Sequence, residues 1–159
     1  YIQLYCKYFR LIMFRVAFLM VCVQLALARG PCDIKNDEVK EMIKNGVQDL
    51  SALNCDADGY FGPKQCHAGG CYCAGKNGAF IQDTFTDWSM AYKMNCKCAQ
   101  DKYEYSKLKI IGKMFACDKY GNYESVQCMG SQCFCADENG KPATNGQSVH
   151  ISQIHLLDC

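Results

Sequence analysis

The sequence predicts a small disulfide-rich α+β protein built from two similar units. Each unit is expected to hold a short N-terminal helix plus a small antiparallel β-hairpin or sheet, stapled by three disulfides. Three observations predict this. The chain has 159 residues and 14 cysteines, near the density at which a short chain reads as a disulfide scaffold. From Cys32 onward, twelve cysteines fall into two sets of six with matching central gaps. Turn and strand signals recur at the same offsets from those cysteines in both sets.

Residues 1–28 read as a secretory signal peptide. Arg15 precedes an apolar run over residues 16–27, and Ala26-Leu27-Ala28 is a small-x-small cleavage site. A membrane span would need about 20 apolar residues. Met13 would start a compact signal of ordinary length. Cleavage after Ala28 would remove Cys6 and Cys22, leaving twelve cysteines, an even number. A secreted, extracellular location follows, and an oxidising compartment makes disulfides the default.

The cysteines at 32, 55, 66, 71, 73 and 96 leave gaps of 22, 10, 4, 1 and 22 residues. Those at 98, 117, 128, 133, 135 and 159 leave 18, 10, 4, 1 and 23. An internal repeat of about 60 residues explains the match. The flanking residues repeat as well. Cys55-Asp56, Gly59, Phe61 and Gln65-Cys66 align with Cys117-Asp118, Gly121, Tyr123 and Gln127-Cys128. Cys71-Tyr72-Cys73-Ala74 aligns with Cys133-Phe134-Cys135-Ala136, and Asn77-Gly78 with Asn139-Gly140.

Each element has a local reason. Asn36 or Asp37 is expected to cap a first helix, with Val39, Met42 and Ile43 on one face and Gly46 as its stop. Asp101 is expected to cap a second helix carrying Tyr105 and Leu108 and ending before Gly112. Both helices are too short to stand alone in water. Asp56 to Gly59 and Asp118 to Gly121 carry turn chemistry. Tyr60-Phe61 and residues 122–126 then read as strands leading into a cysteine. Asn77-Gly78 and Asn139-Gly140 suit tight turns with positive φ. The two sulfurs of each Cys-x-Cys are expected on opposite sides of a strand, bonded to different partners.

Composition excludes several functions. Formal charge is +1, and the part after residue 28 holds 14 bases against 16 acids, a net −2. No basic excess exists to pair with phosphates, so nucleic acid is not an expected partner. After signal cleavage no segment is left to meet a membrane. No Gly-x-Ser-x-Gly, HExxH, P-loop or dinucleotide motif occurs. No catalytic residue, metal ligand or cofactor site is expected, and the chain does not read as an enzyme. A zinc site using Cys-x-Cys with His67 is the weaker alternative to disulfides. His150 and His155 read as lightly packed residues near the last strand.

The Gln-Cys, Cys-aromatic-Cys and Asn-Gly elements, set in six cysteines at these gaps, resemble the thyroglobulin type-1 domain family. The resemblance covers residues 32–159 as two tandem copies, giving domains 29–97 and 98–159. The chain departs from the family pattern in two ways. Tyr72 and Phe134 stand where the family usually has Trp, and only four residues separate Cys66 from Cys71 and Cys128 from Cys133. The resemblance implies the bridges Cys32–Cys55, Cys66–Cys71, Cys73–Cys96, Cys98–Cys117, Cys128–Cys133 and Cys135–Cys159. Spacing alone leaves about 15 connectivities per set of six. With only Lys97 between Cys96 and Cys98, the units are expected to hold a restricted relative orientation.

The family includes reversible inhibitors of papain-like cysteine proteases, whose three loops enter the active-site cleft as a wedge. Carried onto this chain, the first loop is residues 47–54, with Leu50, Ser51 and Leu53, and residues 113–116, with Lys113, Met114 and Phe115. The second is residues 67–70, with His67, Gly69 and Gly70, and residues 129–132, with Met129, Gly130 and Gln132. The third follows Asn77-Gly78 and Asn139-Gly140. A papain-like protease is the partner this implies, bound by a monomer. The competing reading of the apolar loop residues is packing beneath their own disulfides. Two alternatives stand for the whole chain. One is a non-inhibitory secreted binding module. The other is a venom effector, since two-domain thyroglobulin type-1 proteins of spider venoms share the near-absent linker. Gln65 and Gln127 are read as buried amides bonding hairpin backbone. Trp88, with Phe85 and Tyr92, is read as small-domain core.

Overall fold

A computed structural model describes residues 29–143 and 147–159. The signal peptide expected over residues 1–28, with its start at Met13, lies outside the described residues. Pro31 to Cys159 forms one compact unit.

Helix α1 spans Pro31–Lys44. It starts earlier than the Asn36 or Asp37 cap expected. Proline suits a first turn because it has no N–H to satisfy. The Cys32 amide donates instead to the distant Gly59 carbonyl at 2.9 Å. Asn36 lies inside the helix, where its Oδ1 accepts from the Leu53 N–H at 2.7 Å. The helix stops where the sequence predicted. Gly46 takes φ +85°, its N–H donates to the Ile43 carbonyl, and the Val47 N–H donates to that of Met42. This pair of bonds is a Schellman cap, which needs the left-handed conformation glycine adopts freely. Of the predicted apolar face only Val39 is buried, while Met42 and Ile43 stay exposed. The Cys32–Cys55 bridge therefore anchors α1 more than its apolar face does.

Strands β1 (Lys64–His67) and β2 (Gly70–Cys73) form an antiparallel hairpin with Gln65 opposite Tyr72 and Cys66 opposite Cys71. In the second repeat β3 (Lys113–Met114), β4 (Val126–Met129), β5 (Gln132–Cys135) and β6 (Ser148–His150) form a four-stranded antiparallel sheet in chain order. The first repeat replaces β6 by a single bridge from Cys71 to Thr86. The strands start later than expected, because Phe61 and Tyr123 make only isolated bridges to Cys55 and Cys117. The turns before them use up the local amides. Asp56 Oδ1 accepts from the Asp58 and Tyr60 N–H groups, and Asp118 Oδ1 from those of Tyr120 and Asn122.

Among the described residues six disulfides join Cys32–Cys55, Cys66–Cys71, Cys73–Cys96, Cys98–Cys117, Cys128–Cys133 and Cys135–Cys159. Each Cys-x-Cys does serve two different bridges, but not from opposite faces. Residues two apart on a strand share a face. Cys71 bridges straight across the hairpin to Cys66, and Cys73, one step along, reaches Cys96 beyond it.

Helix α2 (Lys97–Lys107) starts directly after Cys96, which holds φ 60°. Lys97 is thus the first residue of a helix rather than a linker. Asp101 does not cap α2. It accepts from Lys97 Nζ at 2.5 Å and from the Tyr123 hydroxyl at 2.7 Å. Gln100, buried, donates through Nε2 to the Phe61 and Ala74 carbonyls of the first repeat, both at 2.9 Å. Asn122 accepts from the Asn95 N–H and donates to the Lys93 carbonyl. Gly121 approaches so closely that a Cβ there would lie 2.5 Å from Cys73 Sγ. The buried core joins Cys71, Cys73, Ala91, Met94 and Cys96 of the first repeat to Ala99 of the second, with Tyr120 packed on it. The expected restricted orientation therefore arises from a shared core.

Gly121→Ala would meet both that clash and an unfavourable φ of +77°. We expect it to cost about 2 kcal/mol or more, read as a lowered denaturation midpoint; a loss below about 0.5 kcal/mol would refute the shared core. The half-buried Tyr123 phenol is raised well above its ordinary value, first by burial, then by its hydrogen bond to Asp101 and that carboxylate's charge. A raised folded value means its contribution is complete below the ordinary phenol value near about 10 and is lost as pH rises beyond it. Unfolding curves from pH 8 to 11 should show an alkaline loss of stability that Tyr123→Phe reduces; identical profiles would contradict the assignment.

Candidate functional site

The loops are rooted by the two glutamines. Gln65 Oε1 accepts from the Asn54 N–H at 3.0 Å, while its Nε2 donates to the Asn54 and Gly62 carbonyls at 2.6 and 3.0 Å. Gln127 repeats this, accepting from the Ala116 N–H and donating to the Ala116 and Glu124 carbonyls at 3.1, 2.7 and 2.9 Å. Both are buried. This is the backbone-bonding role the sequence suggested. Each amide pairs with one residue's N–H and C=O as a neighbouring peptide would. The chain leaving the first loop is thereby fixed to the strand entering the second. Because the partners are backbone groups, Gln127→Leu strands the Ala116 N–H and the Glu124 C=O, while the Ala116 C=O keeps its bond from the Glu124 N–H. A loss of about 2–3 kcal/mol is expected in a urea titration.

The second repeat places an apolar tip on this root. Residues 113–114 lie in β3, and Phe115 packs between the Tyr105 and Tyr123 rings at 5.4 and 6.4 Å. The exposed first loop is residues 108–112. Ile111 is 97% exposed, and Leu108, Ile110, Met114 and Met129 are exposed too. The Gly130 N–H donates to the Gly112 carbonyl at 2.6 Å, and Lys113 pairs with Met129 across the ladder. The first and second loops are thus bound edge to edge, with Met129, Gly130 and Gln132 on the second. No acid interrupts residues 107–113, so the tip is apolar and basic.

Sequence reasoning missed Ile110 and Ile111 because it ran α2 on toward Gly112. The available signal was the β-branched pair, which loses side-chain freedom in a helix.

The first repeat differs. Leu50 is exposed, whereas Ser51 and Leu53 are half-buried and Leu53 is tied to Asn36. In the second loop His67 Nδ1 accepts from the Gly69 N–H at 3.0 Å, and the His67 ring stacks on Phe85 at 5.8 Å. Gly70 is buried against Thr86. Trp88 Nε1 donates to the Ala68 carbonyl at 3.0 Å. The expectation that Trp88, Phe85 and Tyr92 form core is corrected: they are 54, 52 and 76% exposed. Disulfides, Ala91 and Met94 already fill the small interior. Phe85 and Trp88 instead brace the 67–70 loop from outside.

Asn77-Gly78 lies at the other end of β2 from that loop. Asn77 Oδ1 accepts from the Ala79 N–H, Gly78 packs on Phe61, and the Lys76 N–H donates to Glu104 on α2. Asn139-Gly140 is placed alike, with the Asn139 N–H on Asp137 and Gly140 against Tyr123. The fold therefore gathers 108–112 with 129–132, and 67–70 with 85–88. It leaves both Asn-Gly turns away from these tips. Cys71 and Cys73 are bridged, so neither offers a thiolate to a metal beside His67.

Residues 32–96 and 97–153 each match the family model of the thyroglobulin type-1 repeat. The chain is 28% identical over 103 residues to thyroglobulin of Bos taurus, covering 60% of this chain and 4% of that protein. Thyroglobulin of Sus scrofa is 27% identical over 101 residues, 58% of this chain and 4% of its own length. Equistatin of Actinia equina is 33% identical over 94 residues, 55% of this chain and 41% of its own length. The chain thus spans a small fraction of the thyroglobulins and under half of equistatin. Two successive matches over one repeated frame of bridged cysteines, each with its buried glutamine, lead to one conclusion: the chain belongs to the thyroglobulin type-1 family, as two tandem repeats.

Proposed function

We propose that this chain is a secreted, reversible inhibitor of papain-like cysteine proteases, acting as a monomer and not as an enzyme. The observation that carries the reading is the second-repeat tip. An almost wholly exposed isoleucine sits on a loop bonded to its neighbour at 2.6 Å and rooted by a buried glutamine and two bridges. Such a loop has little ordering entropy left to lose on binding. Burying its apolar side chain in a protease subsite contributes about 1.5–3 kcal/mol. The twelve bridged cysteines leave no nucleophilic thiol among the described residues and suit an oxidising, extracellular setting.

The exposed Phe85, Trp88 and Tyr92 favour a second reading, a secreted binding module or venom effector engaging another protein through the first repeat.

Titrating the oxidised protein against papain and a cathepsin L-type enzyme separates the two. Tight inhibition lost on reduction, and weakened about 10- to 100-fold by Ile111→Asp, is the expected result. No inhibition at micromolar protein would remove the inhibitor reading for those enzymes and favour the binding module.

A further inference from the structure

We infer that the second loops of both repeats are held by acid-labile histidine latches, so that acidification loosens them, the proposed protease-binding tip of the second repeat included. The structural part stands alone; its meaning for inhibition rests on the reading above.

The chain makes one kind of local turn many times, with a side chain accepting from the backbone N–H two residues on. In six cases among the described residues the acceptor is an Asp or Asn oxygen: Asp56, Asn77, Asp87, Asn95, Asp118 and Asp137, at 2.8–3.2 Å. In two cases it is an imidazole. His67 Nδ1 accepts from the Gly69 N–H at 3.0 Å, and His150 Nδ1 accepts from the Ser152 N–H at 3.3 Å, with Ser152 Oγ 2.8 Å away.

An amide N–H can only donate, so each Nδ1 must carry a lone pair and each ring must be neutral with its proton on Nε2. Asx oxygens remain acceptors across the range of about pH 5 to 8, whereas histidine ordinarily gains its proton there. Protonation puts a second N–H where the acceptor stood, so the bond from the backbone N–H is present at neutral pH and lost on acidification; at His150 the new N–H can donate to Ser152 Oγ instead, so that turn exchanges one bond for another while His67 loses its own outright.

The location gives the pattern its significance. His67 lies on the 67–70 loop. His150 pairs with Gln132, the last residue of the 129–132 loop, and the adjoining Ile151 N–H donates to Ser131 within it. The imidazole latch of the first repeat thus lies within its second loop, and that of the second repeat lies beside its loop, on the strand paired with Gln132.

Other charges near the latches are few. Elements packed on His67 carry Tyr72 on β2 and Asp87 beyond Phe85, and its own strand carries Lys64, whose Nζ reaches the Ala91 carbonyl. Beside His150, β5 offers the uncharged Gln132, and the following turn carries His155. Among the described residues neither imidazole has a carboxylate ion pair that would keep a protonated ring in place.

The test is a pH titration of the ¹⁵N-labelled oxidised protein from 7.5 to 4.5. At pH 7.5 both rings should show unprotonated Nδ1. The Gly69 and Ser152 amides should move with the midpoints of their own histidines. Their protection from exchange, relative to an unstructured peptide, should fall about fivefold, the worth of one ordinary hydrogen bond. In His67→Asn and His150→Asn the amide oxygen reproduces the turn, and these two signals should stay still. Stationary amides while the rings titrate, or protonated Nδ1 at pH 7.5, would overturn the latch. Papain inhibition by wild type and the double Asn variant is then compared at pH 7.5 and 5.0, the enzyme's own titration cancelling. The wild type should weaken about fivefold more than the variant; equal weakening would overturn the regulatory role. Absence of inhibition at both pH values would count against the inhibitor reading, with the amide signals still deciding the latch.

Discussion

A glutamine side chain standing in for a peptide group is the interaction on which each repeat depends. It must accept and donate at once and reach across from a neighbouring strand, which neither glutamate nor asparagine can do. At Gln65 and Gln127 it grips the residue just before a bridged cysteine, Asn54 or Ala116. That residue closes the first loop, while the glutamine's own strand opens the second. Without this grip the disulfides would still limit how far the loops part but would not set their register. The bridges restrict the unfolded chain, and the buried amide selects one arrangement of the folded one.

The second organising constraint is the absence of a linker. Because α2 begins at Lys97, the helix that opens the second repeat also closes the core of the first. Gln100 satisfies two first-repeat carbonyls, and Gly121 lets the second repeat rest on the Cys73–Cys96 bridge. A domain of some 60 residues is poor in core, and sharing one relieves both repeats.

Much of this was legible in the sequence where the cause was local. The Gly46 stop, the Asx turns at Asp56 and Asp118 and the paired glutamines all read correctly from their neighbours. The cysteine frame showed the duplication. The pairing of its sulfurs came from family resemblance, since spacing left it open. Helix starts were misjudged because their causes are distant. Cys32 finds its acceptor at Gly59, and Asn36 and Asp101 serve other segments. Trp88 was taken for core because size and apolarity suggest burial, yet sulfur already fills that interior. Ile111 escaped notice because its setting, a helix ended a turn early, is a tertiary outcome.

Gln100 has one more consequence. Cutting the chain after Cys96 would preserve every bridge of the first repeat, yet leave the Phe61 and Ala74 carbonyls facing nothing and uncover Ala91 and Met94. The disulfide map marks two modules, but the hydrogen-bond map does not divide there. The smallest piece of this chain that a protein engineer could transplant intact is therefore the pair.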